Sequence, residues 1–308
     1  MTGSVPPVVT VVVPTVDRVE LLRRCLRGLA GQDLADPYEV VVVHDGNAGI
    51  TALLAEVADD LPVRGLRIDE RGVSAKRNAG WRAARADLVA FTDDDCEPSV
   101  GWLTALVQAA GDDRALVAGP VAPHPEDAGV TGPWARTVNQ PVESGYYPGC
   151  NLLLRRSALE ATDGFDPAMQ AGEDTDLAWR VIEQHGAAAW APDALIWHAV
   201  RAVDFVGHLR SLPRWGDLPL VVRRHPQLRD RLGYRRWFWK DNHPAACLAL
   251  AGIALTPISS GALLLAAPVV VRRLRKHPPR RAAALAVSDV VEAGVLIAGS
   301  IRHRAVLL

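Results

Sequence analysis

Near the start of the chain, Val8–Val13 form an unbroken β-branched run that stops at Pro14-Thr15. Branching at Cβ favours extended backbone. A strand with no polar alternation has to be covered on both faces, as the strands of a parallel sheet are. The run therefore demands helices on either side of it. Leu21, Leu22, Cys25, Leu26 and Leu29 follow at helical spacing. Asp17 stands ahead of them as a helix cap.

The same alternation continues. Tyr38–Val43 reads as a second buried strand ending in His44-Asp45-Gly46-Asn47. A helix is predicted near Thr51–Ala58, a strand near Val63–Ile68, a helix over Ser74–Arg85 and a strand over Asp87–Phe91. Next come a helix near Val100–Ala110 and a strand at Ala115–Ala118. Pro120–Pro148 is rich in Pro and Gly and poorly periodic, and a loop that long is usually functional or mobile. Asn151–Leu154 reads as a strand and Asp174–His185 as a helix. Ala187–Trp190 and Ala194–Trp197 read as a closing pair of strands. Strands alternating with helices imply an α/β fold with a parallel sheet and right-handed crossovers. Ligands of such sheets bind at the carboxyl ends of the strands.

At one such end stands Phe91-Thr92-Asp93-Asp94-Asp95-Cys96. Three adjacent carboxylates repel one another and raise each other's pKa. A divalent cation among them relieves this, and oxygen ligands suit Mg²⁺ or Mn²⁺. The alternative is a solvated acidic turn. Asp45, at a strand's carboxyl end before a Gly turn, is placed to accept a hydrogen bond from a ligand, or else to cap a turn. Lys76, Arg77 and Asn78 open a helix, where backbone amides, helix dipole and two cations favour a diphosphate.

With 49% apolar residues in 308, the chain has ample material for a core. Its net charge of −1 hides an asymmetry. Residues 201–308 hold 18 Lys/Arg and 6 Asp/Glu, and residues 1–200 hold 16 and 29. An acidic body with a basic tail points to a tail that meets something anionic. Cys25, Cys96, Cys150 and Cys247 form no CxxC, which fits a reducing compartment rather than a disulfide framework. Val8–Val13 is too short for a signal peptide and has no basic flank, so the body is expected in the cytosol.

Six stretches carry a family resemblance: Val11–Thr15, Val43–Asn47, Ser74–Gly80, Phe91–Asp95, Gly149–Arg155 and Gly172–Leu177. In this order, over residues 8–200, they resemble the inverting family 2 glycosyltransferases of GT-A fold. The resemblance implies a Rossmann-like domain that binds a nucleotide-diphosphate-sugar donor with a divalent cofactor, Mn²⁺ or Mg²⁺. It maps the family's DxD motif onto Asp93, near the ribose, and Asp95, on the metal. Asp94 is left facing either the donor sugar or solvent. Pro14, Thr15, Asp17, Asp45, Lys76, Arg77 and Asn78 complete the expected donor site. His198 completes the metal site by resemblance, with a structural histidine as its alternative. His44 stands where the family often has a second acid. Glu173-Asp174 resembles the family's ED motif, with Asp174 as general base and Glu173 as runner-up. Inversion is a single displacement, so one carboxylate base suffices. Tyr146, Tyr147 and Asn151 are the expected acceptor contacts, and Trp134 is a further aromatic candidate for sugar stacking, whereas the helical spacing of Trp179 points to the core rather than to a sugar.

The resemblance fades after residue 200. Ala245–Val271 is 27 residues without a charge, long enough to span a bilayer. Thr256–Gly261 interrupts it, however, and basic blocks at 235–240 and 272–281 flank it. A single crossing would put one block outside, against the positive-inside tendency. Ala282–Ile301 carries Asp289 and Glu292, costly at a bilayer centre. The expected organisation is a catalytic domain over 1–200, an Arg/Trp-rich connection over 201–244 and apolar helices over 245–308. The tail is expected to lie on an anionic membrane at its cytoplasmic face. True spans, or a hairpin packing on the catalytic domain or on a second copy in a homodimer, are the alternatives. The partners are then the donor, a lipid-linked or polysaccharide acceptor and the membrane, with no nucleic acid. Two other functions remain: a nucleotide-sugar-binding scaffold, and a phosphatase-like enzyme. An intact base and metal cluster argue against the first. The second would need its Asp directly after the first strand, where Pro14-Thr15 stand.

Overall fold

The computed structural model describes residues 5–231 and 234–308. It divides into two compact units: the first holds residues up to 130, 136–169 and 173–201, the second 131–135, 170–172 and 202–308.

In the first unit the chain runs β1 (Val9–Pro14), α1 (Val19–Ala30), β2 (Tyr38–His44), α2 (Ala48–Val57), β3 (Val63–Arg67), α3 (Val73–Arg82) and β4 (Leu88–Phe91). It continues through β5 (Cys96–Pro98), α4 (Trp102–Ala110), β6 (Leu116–Ala118), β7 (Val121–Pro123), β8 (Leu152–Arg155) and α5 (Arg156–Thr162). α6 (Glu173–His185), β9 (Ala189–Trp190) and β10 (Ile196–His198) close the unit. Among the described residues, seven strands form one sheet in the order β3-β2-β1-β4-β8-β6-β9.

β1 is central and parallel to both neighbours, with Val9 opposite Tyr38 and Leu88. Alternate residues of β1 enter opposite cores, as a strand period of two requires. Val9, Val11 and Val13 meet Leu22, Leu26 and Trp102 on one side. Val12 meets Trp81, Phe91 and Leu177 on the other. Helices do cover both faces.

Several sequence expectations are corrected. The sheet is mixed: β8 lies antiparallel between β4 and β6. A fully apolar strand reads the same in either direction, so Leu152–Leu154 carried no sign of this. β9 and β10 do not pair with each other. β9 extends the large sheet beside β6, whereas β10 is the middle of a separate three-stranded sheet, β5-β10-β7. β5, β7 and α5 had no counterpart in the sequence reading. Asp17 does not cap α1. Its φ is +45°, Arg18 stands at the cap position, and no side chain bonds there. Asp17 is exposed and accepts from Asn47 Nδ2 at 2.6 Å. Asn47 itself caps α2, accepting from the backbone of Gly49 and Ile50.

The second unit is helical: α7 (Phe205–Ser211), α8 (Leu218–Arg224), α9 (His243–Leu255), α10 (Ala267–Leu274) and α11 (Pro279–His303). Of the Arg/Trp-rich stretch, residues 202–244 fall in the same unit as the apolar helices. The uncharged run breaks after Leu255 and resumes as a 3-10 turn at Ser260–Ala266. Asp289 and Glu292 are buried and matched. Arg273 pairs with Asp289 at 2.5 Å, and Lys240 with Glu292 at 2.7 Å. Among the described residues, α11 alone is long and apolar enough to cross a membrane by length and composition. Trp134 stacks on His208 in this unit and is not among the strand-end residues below.

Candidate active site

The carboxyl ends of β1 and β4 and the start of α3 enclose a cleft of about 160 Å³ lined by Pro14, Thr15, Arg18, Gly72, Lys76 and Asp93. Lys76 Nζ donates to the Thr15 carbonyl at 2.7 Å and lies 3.5 Å from Asp45 Oδ2. It ties the end of β1 to the end of β2. Asp45 is exposed at the sheet edge, open to a ligand. The His44 ring is buried, accepts from Gly46 N–H at 3.2 Å and faces Gly65 on β3. Burial lowers its pKa, aided by Lys76 and Arg67, so it is neutral at the sheet edge.

Arg77 and Asn78 do not present themselves to a diphosphate, contrary to the sequence reading. Both are buried. Asn78 donates to the Phe165 carbonyl and accepts from Phe165 N–H and Trp81 Nε1, which fastens the loop after α5 to α3. Arg77 instead bridges two acids, with Nη2 at 2.7 Å from Asp93 and Nη1 at 3.1 Å from Glu173. Burial works against its charge, but Asp93, Glu173 and Asp174 around it hold it firmly protonated.

Asp94 does not face solvent. It is fully buried, accepts from Thr15 Oγ1 at 2.6 Å and is ion-paired to Arg18. Burial pushes its pKa up to about 6 against the pull of Arg18 and Thr15. Arg18 also reaches Asp95 Oδ2 at 2.6 Å. Arg18 is the residue that sequence reasoning missed. Its signal was available: a cation one turn beyond the β1 terminus, facing three unneutralised acids.

The pairing of β10 with β5 sets His198 opposite Cys96, next to Asp95. His198 Nδ1 lies 2.8 Å from the Ala199 carbonyl, which can only accept, so Nδ1 carries a proton and Nε2 is the nitrogen turned to a ligand. Nε2 lies 3.7 Å from Asp95 Oδ1. That separation falls between roughly 3.0 Å for adjacent and 4.2 Å for opposite ligands on a cation with ligand distances of about 2.1 Å. The Cys96 thiol is part of the same cluster. Burial raises its pKa, so it is protonated and no ligand for a hard cation. Asp95 and His198 thus fit a divalent ion.

At the start of α6, Asp174 is partly exposed and accepts from the backbone of Gly149 at 2.8 Å and Thr175 at 2.7 Å. Burial raises its pKa while Arg77 and these donors oppose it. Glu173 is buried, and burial together with Asp174 pushes it to about 7 despite Arg77.

The expected acceptor residues separate. Asn151 is fully buried, accepting from Trp102 Nε1 and donating to the Pro120 and Ala194 carbonyls, all at 2.8 Å. It joins β8, α4 and the β10 approach and cannot touch an acceptor. Tyr147 is also buried, its hydroxyl on Glu143 and its ring edge-on to Trp179. Trp179 donates to the Gly145 carbonyl. Tyr146 is half-exposed.

A family profile described as "Glycosyl transferase family 2" matches residues 10–167. The pre-mycofactocin glycosyltransferase of Mycobacterium tuberculosis is 32% identical over 71% of this chain and 48% of its own length. This chain therefore spans about half of that relative. Glycosyltransferase AglE of Haloferax volcanii is 25% identical over 76% of this chain and 79% of its own. Among solved structures, the mannosyltransferase PcManGT of Pyrobaculum calidifontis, in complex with GDP-Man and Mn²⁺, aligns with a TM-score of 0.58 at 22% identity. The alignment covers 98% of this chain and 88% of that one. TarS 1-349 of S. aureus with UDP-GlcNAc aligns at 0.53 and 15% identity, covering 96% and 92%. The fold is of GT-A type, and the chain belongs to glycosyltransferase family 2.

Proposed function

We propose that this protein is a metal-dependent, inverting glycosyltransferase that moves a sugar from a nucleotide-diphosphate donor to a hydroxyl of a lipid-linked or polysaccharide acceptor. One observation carries the reading: a single buried guanidinium, Arg77, touches both Asp93 of the acidic cluster and Glu173 of the ED pair. The donor-side acids and the base-side acids therefore belong to one site. Donor binding falls to Asp45 and Thr15 toward the nucleoside and to Lys76, Arg18 and Asp93 along the cleft. Asp95 and His198 would hold Mn²⁺ or Mg²⁺, which neutralises the leaving diphosphate. Asp174, the more open of the two acids, takes the proton as the acceptor oxygen attacks the anomeric carbon. The bond from that carbon to the diphosphate oxygen breaks with its electron pair leaving on the diphosphate. A raised carboxylate pKa suits this base role. Nucleotide-sugars in the structural neighbours and Mn²⁺ in one of them support the donor and metal classes. The basic, apolar second unit is read as the part that meets an anionic membrane at its cytoplasmic face.

Calorimetry with UDP-, GDP- and dTDP-sugars, with and without Mn²⁺, tests the donor half. Binding should need the ion, and Asp95→Ala should abolish most of that dependence. Equal binding by wild type in excess EDTA would remove the metal from the reading. For the base, Asp174→Asn should keep donor binding and lose more than about 10²-fold in transfer rate. Unchanged turnover would hand the role to Glu173.

A further inference from the structure

From residue 242 to residue 288 the chain has no acid, yet six cations fall within residues 272–281. Two of these are matched: Arg272 pairs with Asp241 at 2.5 Å, and Arg273 with Asp289. Among the described residues, Arg275, Lys276, Arg280 and Arg281 are exposed and no ion pair is formed by them. The apolar side chains before them are as open. Ile258 is 83% and Leu264 77% exposed, and Ile253, Leu255, Leu263, Val271 and Leu274 are exposed too. The stretch is nonetheless folded against its own unit. Gly252 lies so close to the Ala262 carbonyl that a Cβ would sit 2.5 Å from it, and Val269 packs with Ala249 and Ala286. Exposed apolar side chains in this number, on a folded segment, mark an interaction surface.

The acids of α11 show what kind of partner fits. Asp289 and Glu292 turn inward to Arg273 and Lys240, so none of their charge reaches the outer surface. What remains outside is apolar surface with unmatched cations at one end of the segment. A bilayer with anionic headgroups complements both properties at once. A crossing does not fit. The 13 residues of α9 make roughly 20 Å of helix, short of the ~30 Å hydrocarbon core. The ion pairs of α11 would be costly at a bilayer centre.

We propose that residues 253–274 seat in one leaflet of an anionic bilayer, with Arg275, Lys276, Arg280 and Arg281 on its phosphates. This rests on, and localises, the membrane part of the proposed function. It is tested without donor or acceptor, so its failure leaves the transferase reading standing.

The test is co-sedimentation of the full chain with phosphatidylcholine vesicles, with and without phosphatidylglycerol. Wild type should partition at least about tenfold better onto the anionic vesicles, and added salt should weaken this. Replacing Arg275, Lys276, Arg280 and Arg281 by Gln should erase that preference. Ile258→Asp with Leu264→Asp, at exposed positions, should abolish partition while circular dichroism and melting temperature stay unchanged. Trypsin added outside the vesicles should still cut within 275–281. The proposal is overturned if wild type ignores both lipids, if the double Asp variant sediments like wild type, or if the 275–281 block is protected until detergent is added. It is equally overturned if sedimentation velocity shows a dimer that the double Asp variant dissociates in the absence of lipid binding, since the face would then join two copies.

Discussion

At the scale of single residues, burial rather than residue type decides what each polar group does. Lys76 and Arg77 are neighbours on α3, yet one lines the cleft and the other is sealed between Asp93 and Glu173. Glu173 yields a prediction with a definite sign. Its pKa in the folded protein is about 7 against an ordinary 4.5, so the folded state holds a proton that the unfolded state has released. Stability from this group is therefore complete below about pH 4.5 and is lost as pH rises toward 7. The loss is on the order of 1–3 kcal/mol. Denaturant titrations at intervals from pH 5 to 8 should show wild type losing ground to Glu173→Gln across that window. Parallel pH profiles for the two proteins would mean that Glu173 is already ionised at pH 5. The motif named these residue types correctly, but spacing along a chain does not report which side chains of a helix, a strand end or a loop turn inward. That is why Asn78, Asn151 and Tyr147 were read as contacts and prove to be internal fastenings.

At the scale of elements, α3 shows how the site is held. Gly80 lies so near β1 that a Cβ there would come 2.3 Å from Val12 Cγ1 and 3.1 Å from Val43 Cγ2. The missing side chain lets the helix that carries Lys76 and Arg77 rest directly on the sheet. Gly80→Ala should cost about 1–3 kcal/mol by overpacking and weaken donor affinity as α3 is pushed off β1. Melting curves and donor calorimetry on this variant check both effects, and an unshifted melting temperature would show that the contact yields freely. The elements legible in the sequence were those with an apolar run or a helical period to read, β1, β2, β4, α1 and α6 among them. The hidden ones were short or ambiguous. β5 has three residues and opens on a buried cysteine, and β7 sits inside a Pro-rich stretch. The break in the apolar run was legible, because Pro257 with Ser259, Ser260 and Gly261 cannot sustain a helix.

At the scale of the whole molecule, the chain does not divide at a single point. It leaves the first unit for the second at 131–135 and 170–172, returns each time, and departs finally after residue 201. A cut at the end of the sequence-defined catalytic domain therefore leaves two internal segments without the unit they fold into. The second of these is the sharper case. Within its unit, Gln170 N–H donates to Asp217 at 2.9 Å, and Gly172, at φ +80°, lies against Val221. The next residue in the chain is Glu173, followed by Asp174. A truncation after Arg201 removes Asp217 and Val221 and releases residues 170–172. The donor side, built from the ends of β1, β2 and β4, loses none of its own residues. We expect the truncated protein to retain nucleotide-sugar binding within about tenfold and to lose transfer by about 10²-fold, since a base displaced by even an ångström can cost that much. Full-length turnover from the truncated chain would show that the path into α6 is set by the first unit alone. Loss of donor binding along with transfer would show that the sheet itself depends on residues beyond 201.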